Sequence, residues 1–162
     1  MSLFQMFKKK SGGIEIGAPV KGKTVPINQV NDPTFAEEIL GKGVATIPED
    51  GNIYAPADGT IDLMFDTLHA FSMTTTDGVE LLVHIGLETV ALKGEHFTAH
   101  KATGDSVKKG DLLISADLEA LKGLGIDMIT PMVVCNTGDY QSVEPVTGQD
   151  VDPGATILTI MK

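Results

Sequence analysis

Between Gly78 and Val90 the chain reads GVELLVHIGLETV, in which Val79, Leu81, Val83, Ile85 and Leu87 alternate with Glu80, Leu82, His84 and Gly86. Successive side chains of a β-strand point to opposite faces, so an apolar residue at every second position predicts a strand with one face in a core. The odd-numbered set is wholly apolar and is the expected buried face. His84 therefore points to the other face, with Leu82 beside it. Such a strand cannot stand alone. It demands neighbouring strands, a core beneath it, and a reason for an imidazole on its outer side.

The first neighbour is written immediately upstream. In DTLHAFSMTTTDG, residues Thr67, His69, Phe71 and Met73 fall on one face of a second strand by the same alternation. Asp77-Gly78 between the two runs is a strong hairpin signal, because Gly readily takes the positive φ that a tight turn needs. A hairpin sets the two strands side by side and lets His69 approach His84. A single histidine on a strand is ordinarily a packing or surface residue. Two on paired strands, each beside apolar residues, are also the makings of a site.

The rest of the chain has the same character. Short strands are expected over 14–20, 23–27, 44–47, 52–55, 60–65, 69–75, 112–114, 130–136, 139–145 and 155–161, separated by Gly, Pro and Asp punctuation. One helix is expected over 32–40, with Asp32 as cap, Pro33 at its first position and Gly41 ending it. A second short helix is expected over 117–122, closed by Gly123. Many short strands with little helix predict an all-β, compact antiparallel β-sandwich or barrel-like single domain with one or two very short helices. His96 and His100 stand four apart in HFTAH, but on a strand or loop that spacing is about 13 Å, too far for a shared metal. No metal and no cofactor is expected.

Composition narrows the function classes. Twelve Lys and Arg against 22 Asp and Glu give a net charge of −10, which argues against nucleic acid and suits a basic protein partner. The single cysteine, Cys135, rules out an intrachain disulfide, fits a reducing cytoplasm, and in the run MVVC reads as a buried structural thiol. No apolar run approaches the ~20 residues of a membrane span, and no signal-peptide order is seen. Residues 1–13 read as a flexible N-terminal tail ahead of a domain over 14–162. In MSLFQMFKKK, Leu3, Phe4 and Phe7 would line one side of a helix formed at an anionic surface, giving a weak membrane-surface contact, although ten residues are too few for a stable helix in water.

FDTLHAFSM followed by DGVELLVHIGLETVALKGE resembles the two histidine motifs of the glucose-family enzyme IIA of the bacterial phosphoenolpyruvate:sugar phosphotransferase system. DPTFAEEILGKGVATIP, YAPADGTI, GDSVKKGDLL and TPMVVCN are similar to flanking segments of that family, so the resemblance runs from about Ile14 to Lys162. It implies a cytoplasmic phosphocarrier domain over 14–162. The residue matching His84 carries the phosphoryl group on Nε2, the one matching His69 contacts that group, Thr67 orients His69, and Gly86 offers a carbonyl to the active ring. Phe35, Leu40, Phe65, Leu82 and Val90 match an apolar docking patch, with Asp32 and Glu88 at its edge. The implied partners are HPr, the histidine phosphocarrier, and the cysteine-bearing IIB domain of a sugar permease, with regulatory proteins as further candidates.

The chemistry agrees with the residue types. A neutral imidazole, with an ordinary pKa near 6.5, is a good nucleophile at pH 7, and phosphoryl transfer needs positioning and charge stabilisation above all. Two other classes fit less well. A zinc hydrolase wants three protein ligands, and His69 with His84 supply two. A lipoyl or biotinyl carrier wants its lysine at a hairpin tip, and no M-K-M or D-K-A tripeptide is present.

Overall fold

A computed structural model describes residues 13–162; all but the last residue of the expected 1–13 tail, and with it the expected membrane-surface contact, falls outside the described residues. The strands, in chain order, are β1 (Ile14–Gly17), β2 (Gly22–Pro26), β3 (Lys42–Pro48), β4 (Asn52–Tyr54), β5 (Gly59–Met64), β6 (Ala70–Thr75), β7 (Glu80–His84), β8 (Phe97–Ala99), β9 (Ser106–Val107), β10 (Leu112–Ala116), β11 (Thr130–Val134), β12 (Ser142–Pro145), β13 (Asp150–Val151) and β14 (Thr156–Met161). Two short helices interrupt them, α1 (Pro33–Ala36) and α2 (Leu118–Gly123). The strands form an eight-stranded sheet of order β13-β2-β3-β11-β7-β6-β5-β9 and two three-stranded sheets, β1-β14-β12 and β4-β10-β8. The strand pairings that frame the site, β3 with β11, β11 with β7, β7 with β6 and β6 with β5, are all antiparallel. The expected all-β antiparallel architecture is the one observed.

The alternation read from β7 sets the two faces of the large sheet. Across β5, β6, β7, β11 and β3 the register aligns Met64, Phe71, Val83, Met132 and Val44. All five are buried in one core, together with Ile16, Ile53, Leu113, Ile157, Leu158 and Ile160 from the smaller sheets. The adjacent row, Leu63, Ser72, Leu82, Val133 and Gly43, lies one residue over in the same register and so faces the opposite side. On that outer side a second, smaller cluster forms from Val25, Ile27, Val30, Phe35, Ala45, Leu87, Ile129 and Val133, with Leu82 packed against it. The segment between β2 and β3, which includes α1, supplies three of these residues, Ile27, Val30 and Phe35, and lies over part of the outer face.

Several expectations need correction. Leu87 does not continue the buried row of Val79 to Ile85. β7 ends at His84, Gly86 takes φ +74°, and the chain turns so that Leu87 joins the outer cluster. The expected helix over 32–40 is a single turn, Pro33–Ala36, ended by Glu38 at φ +58° rather than by Gly41. The chain must reach β3 at Lys42, which leaves no room for a second turn, and Ile39 and Leu40 are left exposed. In α2, Gly123 is helical, and the left-handed residue beyond it is Gly125 at φ +80°.

Cys135 is exposed, not buried. It follows the last residue of β11 and leaves the sheet's alternation there. Its thiol pKa is nevertheless pushed up, first by partial desolvation and then by the Glu80 carboxylate, so it is a poor thiolate.

Candidate functional site

The hairpin forms as its turn signal demands. The Thr75 amide donates to the Val79 carbonyl, Gly78 N–H donates to Thr75, and Gly78 takes φ +90°. Val79 N–H also donates to Thr75 Oγ1 at 3.0 Å, closing the turn. The two histidines meet, though not as the alternation of 67, 69, 71 and 73 implied. β6 begins at Ala70, and Leu68 at φ +56° breaks the strand pattern just before it. Phe71 and Met73 are buried in the core, whereas Thr67 and His69 belong to the loop. Ala70 is the residue paired with His84. The backbone still ties the loop to β7, because the Ile85 amide donates to the His69 carbonyl at 2.6 Å. The imidazoles lie edge to face, with centroids 4.9 Å apart at 81°.

The protonation pattern of His84 follows from its partner. Nδ1 lies 2.6 Å from the Gly86 carbonyl oxygen. A carbonyl only accepts, so Nδ1 carries the hydrogen and Nε2 keeps its lone pair. A neutral imidazole so arranged is a nucleophile at Nε2. His69 Nδ1 bonds to the Thr67 hydroxyl. If that hydroxyl donates, Nε2 of His69 holds the hydrogen and can donate to an anionic group.

The turn that presents the Gly86 carbonyl is itself braced. A Cβ on Gly86 would come within 2.9 Å of Met128 Sδ and of Thr89 Cγ2, in addition to straining φ +74°. Thr89, fully buried, donates its hydroxyl to the Ile85 carbonyl at 2.7 Å, and Leu87 N–H donates to the Asp127 carbonyl at 2.8 Å. Thr89 and Asp127 are supporting residues that sequence reading missed. Thr89 lay in plain sight within the strand motif, but Asp127 is distant in sequence and no spacing rule reaches it.

Both imidazoles are held below the ordinary histidine value of 6.5. For His84 burial is the main cause, offset in part by the Gly86 hydrogen bond and by the Asp32 carboxylate. For His69 burial again leads, followed by repulsion from a protonated His84. Above pH 6.5 both rings are neutral whether the chain is folded or not. As the pH falls below 6.5 the unfolded chain binds protons that the folded one refuses, so stability declines until the pH reaches the folded values. Two results are therefore expected. An NMR titration should place the His84 midpoint below 6.5, and the denaturation midpoint should drop between pH 7.5 and 5.5. A His84 midpoint above 6.5 would contradict the site described here.

The other sequence-marked residues divide into two groups. Phe35 packs its ring against His84 at 5.2 Å, Phe65 packs against His69 at 5.4 Å, and half-buried Leu82 packs on the outer cluster. Asp32 caps α1, with Oδ1 accepting from Thr34 N–H at 3.0 Å. Leu40 and Val90 are exposed apolar residues, and Glu88 is exposed at φ +59° ahead of the 3-10 turn Thr89–Leu92. Ile39, 68% exposed beside Leu40, was not marked, because the family resemblance pointed to Leu40 alone in this stretch. Phe35 differs from the expectation for a docking residue, since only 3% of it is exposed. Burying it contributes about 2–3 kcal/mol to folding. His96 and His100 are not paired: His96 lies 3.9 Å from Glu95, and His100 bonds Ser115 at 2.8 Å.

Two facing imidazoles, one at the end of β7 and one on the loop before β6, mark the candidate site, and comparison with known proteins gives the family. Residues 14–140 match the family described as phosphoenolpyruvate-dependent sugar phosphotransferase system, EIIA 1, and the chain belongs to it. It is 38% identical over 94% of its length to the glucose-specific EIIA component of Oceanobacillus iheyensis, covering 93% of that protein. It is 41% identical over 99% of its length to the glucose-specific EIIA component of Haemophilus influenzae, covering 96% of that protein. The beta-glucoside-specific EIIBCA component of Dickeya chrysanthemi is 42% identical over 89% of this chain, which spans 23% of that longer relative. Among solved structures, the glucose permease IIA from Mycoplasma capricolum superposes with a TM-score of 0.84 at 31% identity, covering 98% of this chain and 99% of that one. The chain is thus a phosphotransferase component with the family's role in phosphoryl transfer for sugar uptake. No helix among the described residues is long and apolar enough to cross a membrane.

Proposed function

We propose that His84 accepts a phosphoryl group from phosphorylated HPr and passes it to the cysteine of a glucose-class IIB domain, in the cytoplasm, with residues 14–162 as the carrier domain. The observation that carries this reading is the Nδ1 hydrogen bond from His84 to Gly86, which leaves Nε2 unprotonated beside a second imidazole. The Nε2 lone pair attacks phosphorus in line, the bond to the donor nitrogen breaks, and the donor imidazole leaves. His69, oriented by Thr67, donates to the phosphoryl oxygens as their charge shifts. The EIIBCA relatives, whose names join three component letters in one chain, support a IIB partner. Incubation with phosphoenolpyruvate, enzyme I and HPr should add the mass of one phosphoryl group, and acid should remove it. A wild-type protein that stays unmodified beside a working HPr would end the proposal.

The docking surface is the exposed pair Leu40 and Val90 with half-buried Leu82, and Asp32 and Glu88 at its edge, a charged rim around an apolar centre. Net charge of −10 suits a partner with a basic face. Leu40→Asp and Val90→Asp should each weaken HPr binding by about 1–3 kcal/mol with an unchanged melting temperature. Phe35→Asp, by contrast, places a carboxylate inside the outer cluster and should lower the melting temperature itself. NMR titration with HPr and thermal melts separate the two effects. Unaltered affinity in both exposed variants would put the dock elsewhere.

A further inference from the structure

We infer that Phe35, mounted on the Asp32-capped turn, is a positioning residue for His84: its ring forms an apolar wall that fixes the imidazole. The inference rests on the reading of His84 as the phosphoryl acceptor only in its kinetic arm. The Gly86 hydrogen bond holds one edge of the His84 ring at Nδ1. The ring is tied at Cγ to its own Cβ and at Nδ1 to Gly86, yet small rotations about its two side-chain torsions still rock it and displace Nε2. Two further rings limit the movement, His69 at 4.9 Å and 81°, and Phe35 at 5.2 Å and 58°. Phe35 is 3% exposed, so its ring is packed inside the chain, against His84 and the outer cluster.

The mount is built to hold that ring. A single helical turn has no stability of its own in water, because nucleation is unfavourable. Here Asp32 supplies the anchors. Its carboxylate accepts from Thr34 N–H at 3.0 Å, and its carbonyl accepts from Phe35 N–H at 3.0 Å and Ala36 N–H at 2.9 Å. Below the turn, Phe35 packs into the outer cluster with Val30, Ala45 and Leu87. Leu87 is separated from His84 by two residues, so the cluster holds both Phe35 and the end of the strand motif.

The test reads the ring directly. Nitrogen-15 NMR of the unphosphorylated protein at pH 8 should show His84 as a single Nδ1–H tautomer. Phe35→Leu keeps the cluster filled but removes the flat wall, and should give a mixture of tautomers. Single-turnover transfer from phospho-HPr at saturating donor should fall by about 10²-fold in that variant, with the half-saturating donor concentration unchanged within about threefold, as misplacement of a reacting atom by ~1 Å does. Asp32 provides the arm that does not disturb the cluster. Asn also caps helices, so Asp32→Asn should keep the wild-type ring spectrum, whereas Asp32→Ala should shift it toward the mixture. A wild-type tautomer in both Phe35→Leu and Asp32→Ala would overturn the inference, as would a loss confined to donor affinity. A shifted spectrum in a protein that accepts no phosphoryl group even as wild type would uphold the positioning role and remove the phosphocarrier reading.

Discussion

His84→Gln should take up no phosphoryl group from phospho-HPr, while folding as the wild type does. Gln retains an N–H donor near Gly86 but has no basic nitrogen, and nothing else at the site replaces Nε2. His69 is the nearest alternative, yet its Nδ1 is engaged by Thr67 and its remaining nitrogen is needed as a donor. Intact mass after incubation with phosphoenolpyruvate, enzyme I and HPr checks the outcome, and a melting curve checks the fold. Undiminished labelling of His84→Gln would place the acceptor elsewhere.

The second large effect separates the two imidazoles. Under the proposed reading the phosphoryl group arrives already held by its donor protein, so His69→Gln should still be phosphorylated by phospho-HPr. Onward transfer differs, because the acceptor is a thiolate approaching an anion. Charge stabilisation by the donors that remain then decides the rate, and His69, edge to face with His84, is the one placed to give it. Losing a well-aimed donor costs about 10²–10³-fold. His69→Gln should therefore accept at near wild-type speed and release to IIB about 10²–10³-fold more slowly, as measured by rapid quench. Wild-type release would make His69 a structural residue.

The legibility of this site in the sequence was uneven, for physical reasons. Period-2 alternation read β7 correctly because a strand in the middle of a sheet has one face in the core, and Val79, Leu81, Val83 and Ile85 obey it. The same rule overreached at both ends of the hairpin. Leu68 and Gly86 take positive φ, and a pattern of residue types does not register a backbone reversal made by a leucine. His69 was thus placed next to His84 by the wrong construction, since the contact is made by a loop and not by a strand face. The helix after Asp32 was read from its cap, which is real, but its length was set by the distance to β3 and not by its own sequence. Phe35 was assigned to the docking patch through the family resemblance, and nothing local in the sequence tells a buried aromatic from an exposed one; the outer cluster that covers it draws on β2, β3 and β11. The Asp127 contact is likewise a product of tertiary packing.

The pairing of β1 with β14 sets Ile14 opposite Ile160, so the two ends of the folded domain lie side by side. Both strands pack into the core on the inner face of the large sheet, whereas His84 faces outward. A tether attached at either end therefore leaves from the same corner, away from the imidazoles. Such a domain can be joined to a neighbour through either end without reshaping its reactive face, which fits relatives in which the matching segment is 23% of a longer chain. By the same geometry, a short linker joining residue 162 to residue 14, with new ends cut in an exposed turn, should give a circularly permuted carrier that still folds.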